Sequence, residues 1–219
     1  MARWHAARTR IQLKLAIQRV HMLQEKREAL AKRARLHISE LVGRGRMETA
    51  RVKTESLTLD DIHTEVLELL ELYCEMLYAR FALLEHKTDE PDPAIREPLM
   101  AVLHAAHRTE VQELHVLQDM LCARYGAEVA QAALDNQDGC VPERITVKVA
   151  YHVPPPELVN AYLREICHAY GIALPGEAPL TGTETADAPT PSAPRQVEAQ
   201  QGDEEWGALM KRFEALKRP

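Results

Sequence analysis

Residues 9–45 read TRIQLKLAIQRVHMLQEKREALAKRARLHISELVGRG, and the reading of this stretch decides the fold. Its apolar positions Leu13, Ile17, Val20, Leu23, Leu30, Ala34, Ile38 and Leu41 recur at steps of three, four or their sum. Side chains three and four apart share one face of an α-helix. The spacing therefore predicts one long amphipathic helix over 9–42, about nine turns at 3.6 residues per turn. No proline interrupts the run, and Gly43 and Gly45 supply the stop and the turn.

Working outward, a second helix is predicted over 47–86, with Ile62, Val66, Leu69, Tyr73, Leu77, Phe81 and Leu84 in one stripe. Two long helices joined by a tight turn bury each other's stripes as an antiparallel hairpin, on the order of 50 Å long. Segment 67–75 carries apolar residues on more than one face. It reads as a central helix packed on two sides rather than as a dedicated partner face. Residues 88–93 are polar with two prolines and form a connection. Helices follow over 94–106 (Ile95, Leu99, Leu103) and 110–125 (Val111, Leu114, Leu117, Leu121), where Gly126 interrupts or ends the second. A further short helix fits 127–134, and 136–142 is loop by composition. Ile145, Val147 and Val149 alternate like a strand, but one such run without a partner is expected as extended coil. Pro154, Pro155 and Pro156 precede a last core helix over 157–170, carrying Leu158, Tyr162, Leu163 and Ile166 and stopped by Gly171.

Beyond the core, residues 175–202 hold five prolines and no aromatic. Such a composition cannot bury enough apolar area to offset its ordering entropy, so a disordered linker is expected, spanning about 30 Å root-mean-square. Residues 203–217 then predict a short amphipathic helix. Trp206, Leu209, Phe213 and Leu216 lie on one face, acids 203–205 at the dipole-positive start, and Lys211, Arg212, Lys217 and Arg218 near the other end. A helix this short is marginal alone, and its stripe suits a groove on a partner.

Composition supports an all-α protein: only two Phe and two Trp occur in 219 residues, while Leu, Ala and Glu abound. No run of 18 apolar residues exists, which argues against a membrane-spanning helix. The basic N-terminal residues precede no apolar core of the signal-peptide kind, so secretion is not expected. Cys74, Cys122, Cys140 and Cys167 are widely spread, with no CxxC pair, and fit reduced thiols in a cytosolic compartment. His104, His107, Glu110 and His115 have a spacing that could present ligands to a metal, but no HExxH accompanies them, and they read as ordinary helix histidines. There is no glycine-rich phosphate loop, no GxSxG and no Cys/His/Asn pattern. A non-enzymatic protein without cofactor or metal is expected.

The net charge of −6 hides an asymmetry. Residues 1–55 carry 14 Lys and Arg against 5 Asp and Glu, a net of +9, and the remainder carries 13 against 28, a net of −15. A basic first helix can face anionic lipid, nucleic acid or an acidic partner helix, or be a solvated face balanced by the acidic second helix. Lys26, Arg27, Lys32 and Arg33 are the candidate assembly or membrane face. A nucleic-acid-binding helical protein is the alternative reading, weakened by sparse aromatics and the absence of a reader motif, so no nucleic-acid partner is expected.

These residues together resemble the increased-sodium-tolerance family of ESCRT-III-related proteins. The resemblance is carried by Leu13-Lys14-Leu15-Ala16-Ile17-x-Arg19, by the run from Gly45 through Arg46-Met47-Glu48-Thr49-Ala50-Arg51 to Glu55, and by Leu69-Leu70-Glu71-Leu72-Tyr73-Cys74-Glu75. Further matches are Ala105-Ala106-His107-Arg108, Glu113-Leu114, Tyr125-Gly126, Asn136 and Leu158-Val159-x-x-Tyr162-Leu163-x-Glu165-Ile166. It covers 11–174 in the family's order. It implies an ESCRT-III-like long helical hairpin with shorter helices packed on it (residues 9–174), the linker 175–202 and a motif helix at 203–219. It also implies a role in endosomal multivesicular-body sorting and membrane scission, in a cytoplasmic protein recruited to endosomal membranes. Implied partners are ESCRT-III subunits of the charged multivesicular body protein 1 type and the vacuolar protein sorting AAA ATPase that disassembles their filaments. Peripheral contact with the endosomal membrane and co-polymer or homo-oligomer assembly go with this. The segment 203–219 is similar to the MIT-interacting motif of the first type: Leu209, Arg212, Phe213, Leu216 and Lys217 fall on its pattern. Phe213 stands where the pattern has Leu, and Trp206 takes the acidic position with Glu205 one residue earlier.

Overall fold

The computed structural model describes residues 4–86, 88, 90–150 and 153–174, and every regular element among them is helical. In chain order these are α1 (Ala6–Gly43), α2 (Met47–Ala79), α3 (Phe81–Glu85), α4 (Pro93–Ala105), α5 (Gln112–Leu134), α6 (Glu143–Val149) and α7 (Pro156–Ala169), with short 3-10 turns at Ala106–Arg108 and Gln137–Gly139. The glycine turn after α1 is a Schellman closure: Arg46 N bonds Leu41 O and Gly45 N bonds Val42 O, both at 2.9 Å. Gly45 adopts φ +74, which a side chain would resist. α4 begins where Asp92 Oδ1 accepts from Ala94 N at 2.9 Å, with Pro93 in the first turn.

The chain forms two compact units, and α1 and α2 each contribute to both. The first comprises the described residues of 4–31 and 59–150, the second those of 32–58 and 153–174. In the first unit one apolar cluster joins Leu13, Ala16 and Val20 of α1 to α2, α3, α4, α5 and α6. α2 buries Val66, Leu67, Leu70, Tyr73, Cys74 and Leu77 along one continuous face, while Leu72 on the far side is exposed. In the second unit the buried apolar residues include Ile38, Leu41, Val42, Ala50 and Leu57, with Val159, Tyr162, Leu163, Ile166 and Cys167 of α7.

Four local expectations are corrected. Leu30 is 51% exposed, and its neighbour Ala31 is buried instead. Ala31 lies about five turns from Leu13 at 3.6 residues per turn, so the buried face passes through it, and the seven-residue step from Leu23 falls about 20° short of two turns. The second helix breaks at Arg80 (φ −103, ψ 29), leaving Phe81–Glu85 as a separate short helix. Residues 145–149 are not coil but the body of α6. Ile145 and Val149 are buried four apart while Val147 is half exposed, so the helical spacing prevails over the apparent alternation. Within 136–142 a 3-10 turn forms, with Asn136 and Asp138 at positive φ. Gly126, at φ 89 and ψ 172, kinks α5 and lets residues 127–134 continue as helix.

Candidate docking surfaces

The residues expected to engage a MIT domain, Glu205, Trp206, Leu209, Arg212, Phe213, Leu216 and Lys217, lie outside the described residues, as does the linker 175–202. The four basic residues proposed from sequence are distributed between the two units. In the first, Lys26 is exposed. Arg27 is mostly buried and donates through Nη2 to Glu110 Oε1 at 2.6 Å. In the second, Lys32 and Arg33 are exposed.

Much of the positive charge on the first unit's part of α1 is answered at home. Arg19 Nε lies 3.6 Å from Glu113, and Arg10 and Lys14 sit over the Tyr78 ring at 5.5 Å. His21 Nδ1 is 3.4 Å from Glu71. The Arg27 guanidinium, with Lys26 and His63 behind it, holds the Glu110 carboxyl below its ordinary range. Arg27 therefore fixes α1 to the segment before α5, and the free basic face is narrower than the composition suggests.

Beside that ion pair a cleft of about 180 Å³ opens in the first unit, lined by Arg27, His63, Val66, Leu67, Arg108, Thr109, Glu110 and Val149. Arg27 Nη1 is buried there without a hydrogen-bond partner. Cations beside Val66, Leu67 and Val149 could receive a carboxylate that follows an apolar side chain. Sequence reading missed this grouping because its members come from four places in the chain. Arg27, Arg108 and Glu110 each carried a separate signal in the sequence, but no spacing joined them into one site.

The histidines considered as ligands are occupied otherwise. Buried His104 has Nδ1 2.8 Å from Ala133 O, and His115 Nε2 is 2.8 Å from Thr109 O. The His107 and His115 rings stand 5.1 Å apart. Among the described residues no group of three His, Cys, Asp or Glu is arranged to hold a metal. All four cysteines are free, and burial pushes the Cys74 thiol up to about 12. No helix among the described residues is long and apolar enough to cross a membrane.

Residues 10–173 match the protein family described as Ist1, regulator of Vps4 activity in the MVB pathway. The chain belongs to the Ist1 family. Vacuolar protein sorting-associated protein IST1 of Saccharomyces cerevisiae is 37% identical over 172 residues, covering 73% of this chain and 56% of that protein. Its Schizosaccharomyces pombe namesake is 33% identical over 165 residues, covering 75% of this chain and 60% of the relative. An IST1-like protein of Dictyostelium discoideum is 27% identical over 168 residues, covering 74% and 44%. The Ist1-family chain thus spans about half the length of the curated relatives it matches. Among solved structures, the S. cerevisiae Ist1 N-terminal domain in complex with the Did2 MIM motif superposes with a TM-score of 0.70 at 30% identity, covering 84% of this chain and all of that one. The fold is accordingly the ESCRT-III-like helical fold of an Ist1 N-terminal domain.

Proposed function

We propose that this Ist1-family chain is a non-enzymatic, ESCRT-III-associated adaptor and assembly regulator in multivesicular-body sorting and membrane scission. The observation that carries the reading is the match of its whole helical core, residues 10–173, to a family described by regulation of Vps4, together with a superposable relative solved with a Did2 MIM motif. The core, residues 9–174, receives an ESCRT-III subunit of the charged multivesicular body protein 1 type. The linker 175–202 tethers the segment 203–219, which binds the MIT domain of the disassembling AAA ATPase. In that complex Leu209, Phe213 and Leu216 fill apolar pockets, with Trp206 beside them. Arg212 and Lys217 meet acids on the rim, and Glu205 takes the role of the displaced acid. Lys26 in the first unit, and Lys32 with Arg33 in the second, add positive charge for acidic partners or the cytoplasmic face of the endosome, where the protein is recruited from the cytoplasm. A pulldown from cytosol with the full chain and with a chain lacking residues 203–219, read by mass spectrometry, tests this. The AAA ATPase should be lost with the segment while ESCRT-III subunits remain. Retention of the ATPase by the shortened chain would sink the assignment.

A further inference from the structure

The cleft beside the Arg27–Glu110 pair holds a donor with no acceptor. Arg27 gives one arm of its guanidinium to Glu110, Nη2 lying 2.6 Å from Oε1, while Nη1 is buried with no hydrogen-bond partner among the described residues. A buried N–H of a charged group without an acceptor is costly, and it marks a place where an acceptor belongs. The exposed Arg108 lines the same cleft, as do the apolar Val66, Leu67 and Val149. The Thr109 hydroxyl has already given its proton to Ala106 O at 2.8 Å, so the permanent donors there are the two guanidinium groups.

Charge and size narrow the ligand. Arg27 and Arg108 stand against the single carboxylate of Glu110, which leaves one positive charge for one negative charge to match. A phosphate group, with up to two negative charges, would overmatch it and meet Glu110. The volume of about 180 Å³ is below the roughly 300–1,000 Å³ of small-molecule sites, so the cleft admits one residue rather than a cofactor or the face of a helix. The carboxylate and the apolar side chain must then leave the same Cα, and in a protein only a C-terminal residue provides that.

We propose that this cleft captures the C-terminal residue of a partner chain that ends in an aliphatic amino acid such as leucine. The terminal carboxylate accepts from Arg27 Nη1 and from Arg108, and the side chain lies against Val66, Leu67 and Val149. The chain's own end, Lys217-Arg218-Pro219, sets cations beside its carboxylate and does not fit. The site goes beyond the adaptor reading and uses neither the segment 203–219 nor a lipid.

Fluorescence anisotropy of the full chain with a fluorescein-labelled Gly-Gly-Gly-Leu peptide tests it. The free acid should bind, and its C-terminal amide should bind about tenfold more weakly, as should a peptide ending in glycine. Arg108→Gln, at an exposed position, should keep the wild-type circular dichroism and weaken the acid about tenfold while leaving the amide unaffected. The comparison of acid with amide leaves the protein unaltered, so it decides the question even where a protein variant misfolds. Equal binding of acid and amide, or no binding of the acid at millimolar concentration, overturns the proposal. Binding of an internal acid, in Gly-Leu-Glu-Gly amide, as tight as that of the terminal leucine also overturns it and makes a side-chain carboxylate the ligand. Displacement of the peptide by an equal concentration of inorganic phosphate does the same in favour of a simple anion. Self-association of the chain that Arg108→Gln abolishes, with no peptide bound, overturns it by placing a second copy in the cleft.

Discussion

Arg144 Nε donates to the Tyr73 hydroxyl at 2.6 Å and fastens α6 to the buried face of α2. The guanidinium also lies 4.8 Å over the Tyr73 ring, and its Nη2 reaches Glu97 Oε1 of α4 at 3.1 Å, the same oxygen that accepts from Tyr73. Three helices meet on one hydroxyl. Burial, the largest influence on that phenol, raises its pKa and keeps it a neutral donor and acceptor at physiological pH. Lys148 of α6 pairs with Glu65 of α2, so the short helix is held at a second point.

Tyr73→Phe should cost about 0.5–1.5 kcal/mol, because it removes the hydroxyl while Arg144, roughly half exposed, regains water. Leu70→Ala, which opens a void in the fully buried row of α2, should cost more, about 2–5 kcal/mol. Urea unfolding of both variants checks the order. A larger loss for the tyrosine change would mean that the polar junction outweighs packing.

Arg27→Glu should destabilise the chain where Lys26→Glu does not. The first sets a carboxylate against Glu110 in a largely buried position, a loss of about 1 kcal/mol because the Glu110 side of the pair is mostly exposed, and the second changes a solvated side chain. Thermal melts of the two single variants read this directly, with equal midpoints counting against the ion pair.

The same pair gives a pH dependence. Glu110 has its folded-state pKa depressed, so its stabilisation is complete above the unfolded value near 4.5 and disappears as pH falls through the depressed folded value. Glu110→Gln should therefore be slightly less stable than the parent at neutral pH, with the two curves converging on the acid side. The effect is small, because Glu110 is mostly exposed. Divergence toward low pH would have the sign wrong.

Gly126→Ala should destabilise by about 1–3 kcal/mol, although alanine is favoured over glycine by about 1 kcal/mol within a regular helix. No atom lies within 4 Å of a Cβ added there, so the cost is conformational: φ 89 with ψ 172 belongs essentially to glycine. A stabilising effect would show that the kink is dispensable.

In a titration of a labelled 203–219 peptide with the isolated MIT domain, Leu216→Ala should weaken binding tenfold or more, corresponding to about 1–3 kcal/mol. Leu216→Asp should go further by placing a carboxylate against an apolar wall. Wild-type affinity in the aspartate peptide would remove the anchor role proposed for Leu216.

The period of apolar residues was enough to set the two long helices, the glycine turn between them and the helices of the later core, because helix formation is governed by neighbours three and four apart. The family resemblance was legible for the same reason, carried by contiguous segments such as 45–55 and 69–75. Local pattern did not decide which residue of a near-tie is buried. Leu30 and Ala31 differ by one position, and the continuous drift of a straight helix selects Ala31. Nor did it settle 145–149, where three apolar residues suit either period until neighbours exist to cover Ile145 and Val149. The division of the basic residues lay furthest from sequence. Arg27 and Lys26 are adjacent in the chain and alike in charge, yet only the fold brings Glu110, 83 residues away, onto one of them. Charge tells which side chains can form pairs. The tertiary structure decides which ones do, and so which cations stay available to a partner.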